Sequence, residues 1–198
     1  MSSTSLTRPS LLAHTAPLRQ SLAGKAVLCV AASLFVAICA HISVPMPFTP
    51  VPTTLQTFAV ILVGMTLGPI GGFAALTFYL AEGASGLPVF SPQGPGGIVH
   101  LLGPTAGYLF SYPLAASLAG GCVSLFRRFT AAFPAALLSG SIALLPVFGM
   151  GAFWLAHVMR LSGGQALNLA VTPFLGAEAA KLVAAASAWS ALRLAGRR

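Results

Sequence analysis

"TTLQTFAVILVGMTLGPIGGFAALTFYLAE", residues 53 to 82, carries two apolar runs that are separated by the uncharged sequence "GPIGG" at 68–72. A helix that crosses a bilayer needs about 20 apolar residues, with a usual range of roughly 17 to 25. The runs at 54–67 and 72–82 are short by this measure. We therefore expect two spanning helices that are tilted or continue into the loops, joined by a tight turn.

The composition of the whole chain agrees with a membrane location. Of the 198 residues, 57% are hydrophobic and 6% are charged, whereas soluble domains carry about 25% charged residues. So few charges cannot cover a surface that faces water, and the length suits one domain. The net charge of +8 comes from basic residues scattered between apolar runs, which argues against nucleic-acid binding.

Six spanning helices account for the distribution of these basic residues. The other four candidate spans are 26–44, 104–126, 134–157 and 171–194. Six spans place both termini and the turn at Arg127 and Arg128 on one side, together with eight of the ten basic residues. The positive-inside rule makes that side cytoplasmic. A five-span count would split the basic clusters between the two faces. The predicted fold class is an all-α integral membrane protein.

The chain is predicted to consist of an N-terminal tail and a membrane domain. Residues 1–25 contain no acidic residue, several Ser and Thr, and two Arg. We interpret them as a disordered cytoplasmic tail, with an organelle transit peptide as the alternative. Residues 26–194 are predicted to form a single six-helix membrane domain.

Three loops are predicted on the outer face, at 45–53, 83–103 and 158–170. The first is rich in proline, and 83–103 is a long non-helical stretch rich in glycine. Irregular backbone at membrane depth is tolerated only where protein buries it or where it lines a cavity. We expect outer loops 1 and 3 of the chain, 45–53 and 83–103, to cap a ligand pocket.

Two ionisable residues fall within the last predicted span. Glu178 and Lys181 are three residues apart, which places them on one face of a helix. They either neutralise each other within the bundle or form the polar floor of a ligand site. Ionisable residues inside membrane spans are functional by default, so we favour the ligand site.

Other polar residues are weaker candidates. Glu82 ends the third span and is either a pocket wall or a solvated residue, paired with Arg160 in one arrangement. Gln56, at the start of the second span, offers an amide that suits a urea-like ligand or a polar interface. Gln93 is similar, and His100 is either a carboxylate ligand or a surface histidine.

Several kinds of site are not supported. Cys29, Cys39 and Cys122 lie in apolar runs without metal-site spacing, so no metal or cofactor is predicted. The chain has no GxxxxGK[ST] motif and no catalytic set, which favours a binding subunit whose energy source lies elsewhere over an enzyme. Ser33 and Ala37 on the first span either pack within the bundle or form a docking stripe for another membrane protein.

Four ordered motifs then resemble a known family. They are "PFTPVPTTLQTFAVILVGMTLGP" (47–69), "GLPVF" (86–90), "GPTAGYL" (103–109) and "TPFLGAEAAK" (172–181). Together they resemble BioY, the biotin-binding S component of energy-coupling factor (ECF) transporters, over about residues 26 to 192. Gly176, Ala177 and Glu178 stand where the family pattern has proline, glycine and aspartate, and Ala106 replaces a glycine.

The resemblance implies a six-helix protein that captures biotin from outside. The Glu178 carboxylate would accept the ureido N–H groups, and Lys181 or Gln56 would donate to the ureido carbonyl; Lys181 could instead meet the valerate carboxylate. The residues expected to pack the rings are Leu87, Val89, Phe90 and Tyr108.

The resulting prediction is a biotin-uptake subunit, not an enzyme, that spans the bacterial plasma (inner) membrane several times. Expected partners are biotin, membrane lipid, an ECF transmembrane coupling protein and two ATPase subunits, or a homo-oligomer if the protein works alone. The alternatives are an S component for another vitamin and a structural or assembly membrane protein without a small ligand.

Overall fold

The computed structural model describes residues 21 to 195, which are helical apart from their loops and one pair of two-residue strands. The helices are α1 (Leu22–His41), α2 (Gln56–Ala84), α3 (Gly97–His100), α4 (Ala106–Phe126), α5 (Ala132–Met159), α6 (Gly163–Ala170) and α7 (Leu175–Ala195). A 3₁₀ turn, Thr172–Phe174, leads into α7. Five segments are long and apolar enough to cross a membrane: α1, α2, α4, α5 and Gly163–Ala195. The protein is therefore an all-α, multi-pass membrane protein.

Helix α2 reverses direction at its midpoint. Gly68 has φ 80° and ψ 179°, which is not helical, and Pro69 follows it. A Cβ built on Gly72 would lie 3.0 Å from the Cα of Gly64, although eight residues of continuous helix rise about 12 Å. The two arms, 56–67 and 69–84, thus lie side by side and antiparallel. The turn predicted at 68–72 is made at Gly68, because glycine adopts positive φ without a steric penalty.

The reversal defines two ends of the helix bundle. The loop end carries residues 42–55 and 85–105, together with α6. The turn end carries Gly68 and the connection between α4 and α5, and the described chain both begins and stops there. A Cβ on Gly120, near the C-terminus of α4, would overlap the backbone of Gly68 and Pro69, which places these connections at the same end.

Helix α1 begins earlier than predicted. Residues 1–20 of the predicted tail lie outside the described residues, but Leu22–Lys25 are the first turn of α1. The Ser21 side chain accepts a hydrogen bond from the backbone N–H of Gly24 at 3.0 Å, which satisfies one of the free N–H groups at a helix start. This cap at Ser21 explains why α1 begins at Leu22 and not at the predicted residue 26.

The other end of the first predicted span is also corrected. Helix α1 ends at His41, and β1 (Ser43–Val44) then pairs antiparallel with β2 (Thr53–Thr54). Val44 precedes Pro45, and a residue before proline favours extended backbone over helix. The proline loop is therefore closed at its base by two strands that the sequence analysis did not predict.

Residues 158–170 were wrongly predicted to be a loop throughout. They contain the last two residues of α5, Val158 and Met159, and all of α6. Ser162 and Gln165 form a capping box, in which the Ser162 hydroxyl accepts from the Gln165 N–H and the Gln165 side chain accepts from the Ser162 N–H. The sequence "SGGQ" has the spacing of this motif, so the start of α6 had a readable signal. Helix α7 begins at Leu175, four residues after the predicted start of the last span at 171.

Small residues bring the helices close together. A Cβ on Gly64 would overlap the carbonyl oxygen of Ala116 in α4, and one on Gly107 would overlap that of Met150 in α5. Such close approach of backbones is typical of membrane helix pairs. Gly64 and Gly107 thus lie at helix contacts, whereas Gly68 forms the reversal and Gly103 lies in a loop.

Candidate functional site

A cavity opens at the loop end between the two loop segments and the helices. It contains about 550 Å³ of unfilled space, including its mouth. The strand-bearing segment contributes residues 51–54, and the segment before α4 contributes Ser91, His100 and Thr105. Its helical lining consists of Gln56, Thr57, Tyr108, Leu109, Tyr112, Val147, Phe148, Glu178 and Lys181, with Phe174 from the 3₁₀ turn. Most of the exposed area of the wall is apolar, and several polar groups converge on one space.

The charged pair of α7 lies in this cavity. Lys181 Nζ is 2.5 Å from Glu178 Oε1 and donates to the Thr57 hydroxyl at 3.3 Å. The side chains of Lys181 and Glu178 are only 10% and 8% exposed. A buried pair of this kind is costly unless its remaining hydrogen-bonding atoms also find partners.

Three buried polar atoms around the cavity have no hydrogen-bond partner among the described residues. They are Glu178 Oε2, His100 Nδ1 and Thr53 Oγ1, and all three residues line the cavity. Buried polar atoms in native proteins are nearly always paired. An unpaired carboxylate oxygen accepts hydrogen bonds, a hydroxyl donates or accepts, and an imidazole nitrogen does either according to tautomer. The cavity therefore suits a ligand that has N–H donors at one part and acceptors at another.

Gln56 lies in the lining, but its amide is largely engaged within the protein. Its Nε2 donates to the Tyr79 hydroxyl at 2.7 Å, and that hydroxyl donates to the carbonyl of Val89 at 2.8 Å. Gln56 Oε1 accepts from Thr54 at 3.0 Å. This chain of hydrogen bonds joins both arms of α2 to the loop segment 85–105 and fixes the position of that segment at Val89.

His100 is buried at the C-terminus of the short helix α3. Its ring packs against Phe90 with a centroid distance of 5.1 Å, and its Nε2 lies 3.3 Å from the Thr105 hydroxyl. Burial lowers the pKa of the His100 imidazole, because desolvation disfavours the charged form. A neutral imidazole is thus held at the mouth of the cavity, and the surface histidine that the sequence analysis also considered is not observed.

The Tyr108 ring forms another part of the wall. Its hydroxyl donates to the carbonyl of Ala170 at 2.7 Å, which ties α4 to the end of α6. The ring packs so tightly on Gly151 that a Cβ there would overlap it. Tyr108 is therefore held in one orientation in the wall of the cavity.

The structure brings five of the ten predicted ligand-binding residues to the cavity: Gln56, His100, Tyr108, Glu178 and Lys181. The other five do not line it. Leu87 is 50% exposed, whereas Val89 and Phe90 are buried behind the wall. Phe90 packs against both His100 and Tyr79. It therefore holds His100 in place at the mouth of the cavity but does not itself line the cavity.

Glu82 lies away from the cavity. Its Oε2 accepts a hydrogen bond from the hydroxyl of Ser33 in α1, and no ion pair to Arg160 is formed among the described residues. Glu82 is half-buried near the C-terminus of α2 and does not line the cavity; its carboxylate joins the second arm of α2 to α1.

The same contact corrects the predicted docking stripe on α1. Ser33 is fully buried and Ala37 is 8% exposed, because this face of α1 packs against α2. The predicted stripe is therefore wrong as a surface, and the alternative, packing within the bundle, is what the structure has.

Gln93 joins the two loop segments instead of lining the main cavity. Its Oε1 accepts from the Ser43 hydroxyl of β1 at 2.7 Å and also from the hydroxyl of Ser91. A second cavity lies beside it, between residues 50–52 and 91–105, and shares Pro52, Ser91, His100 and Thr105 with the first. The mouth of the site is thus bridged by one side chain.

Sequence reasoning missed several lining residues, among them Thr53, Thr57, Tyr112, Phe148 and Phe174. Thr57 follows Gln56 in "TTLQT", and its polar character in an apolar run was a signal that could have been used. The aromatic residues carried none, because apolar spans contain many such residues. No group of three or more His, Cys, Asp or Glu side chains placed to hold a metal ion occurs between residues 21 and 195.

Comparison with known proteins places these features in a family. Residues 10–198 match the description "BioY family". The chain is 40% identical over 146 residues to the "Probable biotin transporter BioY" of Pyrococcus horikoshii, covering 72% of this chain and 82% of that protein. It is 37% identical to the "Biotin transporter BioY" of Thermotoga maritima, covering 72% and 81% of the two chains.

A third relative and one solved structure extend the comparison. The "Biotin transporter BioY" of Rhodobacter capsulatus is 33% identical over 160 residues, which are 77% of this chain and 83% of that protein. The fold matches a crystal structure of the S-component for biotin from an ECF-type ABC transporter, with a TM-score of 0.77 and 24% identity. The match covers 85% of this chain and 90% of that one, so the two share a fold.

Proposed function

The chain belongs to the BioY family, and from this membership we propose that it is the substrate-binding subunit of a biotin-uptake system. Relatives that are 33% to 40% identical over most of their length carry the name biotin transporter. A transporter subunit, and not an enzyme, is the activity that the family and the cavity support together.

The observation that carries the proposal is the unpaired Glu178 Oε2 inside a mostly apolar cavity. Biotin has a ureido ring with two N–H donors and one carbonyl acceptor, an apolar thiophane ring and an anionic valerate tail. The Glu178 carboxylate accepts from the ureido N–H groups, and Lys181 donates to the ureido carbonyl or, in the other orientation, meets the valerate carboxylate. Hydrogen bonds to a charged group contribute about 1.5 to 3 kcal/mol each.

Two donors at the loop segments suit the valerate tail. Thr53 Oγ1 and His100 Nδ1 are both buried and lack partners among residues 21–195. A neutral imidazole with its proton on Nδ1 donates to a carboxylate, as does a hydroxyl. The ring of Tyr108 and the side chain of Phe174 line the same cavity and would offer an apolar surface to the thiophane ring. In this arrangement Gln56 positions the loops and is not a ligand contact.

The proposed membrane topology has six spans, with both termini cytoplasmic. The two arms of α2 count as separate spans because they run antiparallel on either side of Gly68. Lys25, Arg127, Arg128 and Arg193 lie at the turn end, whereas Arg160 lies at the loop end. The positive-inside rule then makes the turn end cytoplasmic, in the plasma (inner) membrane of a bacterium.

With this orientation the cavity faces outward under two loops. Loops 1 and 3, residues 42–55 and 85–105, cap the ligand, and the Ser43–Gln93 hydrogen bond holds them together. The bound ligand would be sealed from water, which strengthens its polar contacts. Entry and release of biotin require this bridge to open.

An energy-coupling module is the proposed partner. The solved structure with the same fold is named as part of an ECF-type ABC transporter, and the sequence of this chain has no phosphate-binding GxxxxGK[ST] motif. A transmembrane coupling protein and two ATPase subunits would supply the energy for uptake. A homo-oligomer is the alternative assembly if the protein works alone.

One titration tests the proposed function. Purified, detergent-solubilised protein is titrated with biotin, thiamine and riboflavin in separate calorimetric experiments. We expect tight, saturable binding of biotin and none of the other two. Tight binding of thiamine or riboflavin would select an S component for another vitamin, and no binding of any would favour a structural or assembly protein.

A further inference from the structure

A groove at the turn end concentrates positive charge. It is lined by Arg127, Arg128 and Thr130 from the connection between α4 and α5 and by Trp189, Arg193 and Leu194 from α7. We call this surface the arginine groove. It contains about 750 Å³ of unfilled space, including the part open to solvent, and lies at the opposite end of the bundle from the site described above.

Among residues 21–195, no carboxylate side chain lines the arginine groove. The chain has two acidic residues; Glu82 is bonded to Ser33 and Glu178 to Lys181. Arg127 and Arg128 are exposed. The groove therefore presents a concentrated positive potential toward whatever lies beside this end of the bundle.

Part of this charge is held in place. The indole N–H of Trp189 donates to the carbonyl of Met65 at 2.9 Å, which fixes the ring against α2. The guanidinium of Arg193 lies over that ring, 5.2 Å from its centre. Cation–π stacking restrains the guanidinium, so Arg193 faces the groove with less conformational freedom than an arginine in solvent.

The flanks of the arginine groove are apolar. Phe129, in the same connection as Arg127 and Arg128, is 78% exposed, and Leu194 and Leu125 are 62% and 49% exposed. Apolar side chains next to guanidinium groups at the end of spanning helices match the boundary between acyl chains and headgroups. An acidic protein would not require this apolar rim.

We propose that the arginine groove binds the phosphate headgroup of an anionic phospholipid, with the acyl chains against the apolar rim. Guanidinium groups bind phosphate oxygens in a bidentate manner, and basic pockets between spanning helices on the cytoplasmic side suit such headgroups. The site goes beyond biotin capture and uses none of the residues that line the loop-end cavity.

Native mass spectrometry tests the proposal on the full-length protein. The detergent-solubilised protein is incubated with phosphatidylglycerol or with phosphatidylcholine, which has the same phosphate but no net charge. We expect retained phosphatidylglycerol and little phosphatidylcholine. Arg127→Gln combined with Arg128→Gln should weaken phosphatidylglycerol binding roughly 10- to 30-fold, since each basic residue near the surface contributes about 1 kcal/mol.

Two further variants separate the groove from a general charge effect. Lys25→Gln combined with Arg160→Gln also removes two positive charges, but outside the groove, and should retain the lipid. Arg127→Lys combined with Arg128→Lys keeps the charge without the bidentate geometry and should lie between wild type and the Gln variant. Biotin binding should be unchanged in all three, which shows that each variant is folded.

Three outcomes would overturn the proposal: equal retention of the two lipids by the wild type, unchanged retention in the Arg127→Gln, Arg128→Gln protein, or equal loss in the Lys25→Gln, Arg160→Gln control. If that first variant keeps its lipid but loses uptake in cells, the groove serves an acidic protein partner instead. Failure of biotin binding in the wild type would leave the lipid result intact, because the two measurements use different ligands.

Discussion

Lys181 Nζ lies 2.5 Å from one carboxylate oxygen of Glu178, while the other carboxylate oxygen is buried without a hydrogen-bond partner among the described residues. Lys181 neutralises the charge of the Glu178 carboxylate but leaves the second carboxylate oxygen free to accept a hydrogen bond. Because an unpaired buried charged atom is costly, this geometry favours a ligand that donates to the free oxygen. We therefore propose that the pair serves ligand binding and not only mutual neutralisation.

Glu178→Gln should weaken biotin binding by about 10- to 100-fold, the loss expected for one hydrogen bond to a charged group. The substitution keeps the shape of the side chain but removes the negative charge that receives the ureido N–H groups. Calorimetric titration of the purified variant measures the change.

The chain offers a matched control in its other acid. Glu82→Gln makes the same chemical change at a residue that contacts Ser33 and does not line the cavity, so its biotin affinity should stay within about twofold of wild type. Glu178→Asp, which keeps the charge, should retain most of the affinity. Equal losses in Glu178→Gln and Glu82→Gln would contradict the site.

Gln93→Ala should speed the release of bound biotin several-fold, because it removes the side chain that joins the two loop segments. A typical hydrogen bond contributes about 1 kcal/mol, or roughly fivefold in a rate. Stopped-flow displacement of a fluorescent biotin derivative measures the release rate.

Ser85→Ala is the control for this loop variant. The Ser85 hydroxyl donates to the carbonyl of Glu82 within its own segment and does not join the two loop segments. Its release rate should equal that of the wild type. If both variants release biotin at the wild-type rate, the loops do not limit release.

Gly64→Ala should destabilise the protein by about 1 to 3 kcal/mol, the usual cost of overpacking, because the new Cβ would overlap the Ala116 backbone. Gly149→Ala is the matched control, since nothing lies within 4 Å of a Cβ at that helical position. It should be neutral or slightly stabilising. Thermal unfolding in detergent should therefore rank Gly64→Ala below wild type and Gly149→Ala level with it or above; the reverse order would contradict the helix packing.

Acidification should destabilise the loop end through His100. Its pKa is lowered by burial from the ordinary value of 6.5, so the unfolded state binds the proton more readily than the folded state does. The free energy of unfolding is then insensitive to this group above about pH 7 and decreases as the pH falls below 6.5 toward the folded-state pKa.

His100→Gln isolates this contribution from the other histidines. The variant should lose part of the decrease in unfolding free energy between pH 7 and 5, measured by thermal unfolding across that range. Identical pH profiles for wild type and variant would show that His100 is not held neutral.

The sequence predicted the helical membrane fold because its apolar runs and breaks are strong local signals. The glycine and proline at 68–69 marked the reversal of α2, and the spacing of Glu178 and Lys181 placed both on one face of α7. All of these features are set by residues that lie close together in the sequence.

The sequence does not determine how each helix is rotated about its own axis, and it does not determine the path of the loop backbone. Whether Glu82 faces the cavity or α1 is set by how the second arm of α2 rotates about its axis, and a helix that is apolar on all sides does not encode this. Leu87, Val89 and Phe90 lie in or beside a turn whose path only tertiary contacts fix. The spacing of Ser162 and Gln165 is a local signal for a capping box. The loop predicted at 158–170 does not use this signal.

The proposed function requires that biotin binds inside the cavity beneath the two loop segments. A biotin analogue that carries a photoreactive diazirine within the valerate chain, with its carboxylate intact, can be cross-linked to the purified protein and located by peptide mass spectrometry. We predict labels within residues 51–57 and 100–112, suppressed by excess free biotin. Labels confined to the turn end, or labels that free biotin does not displace, would contradict it.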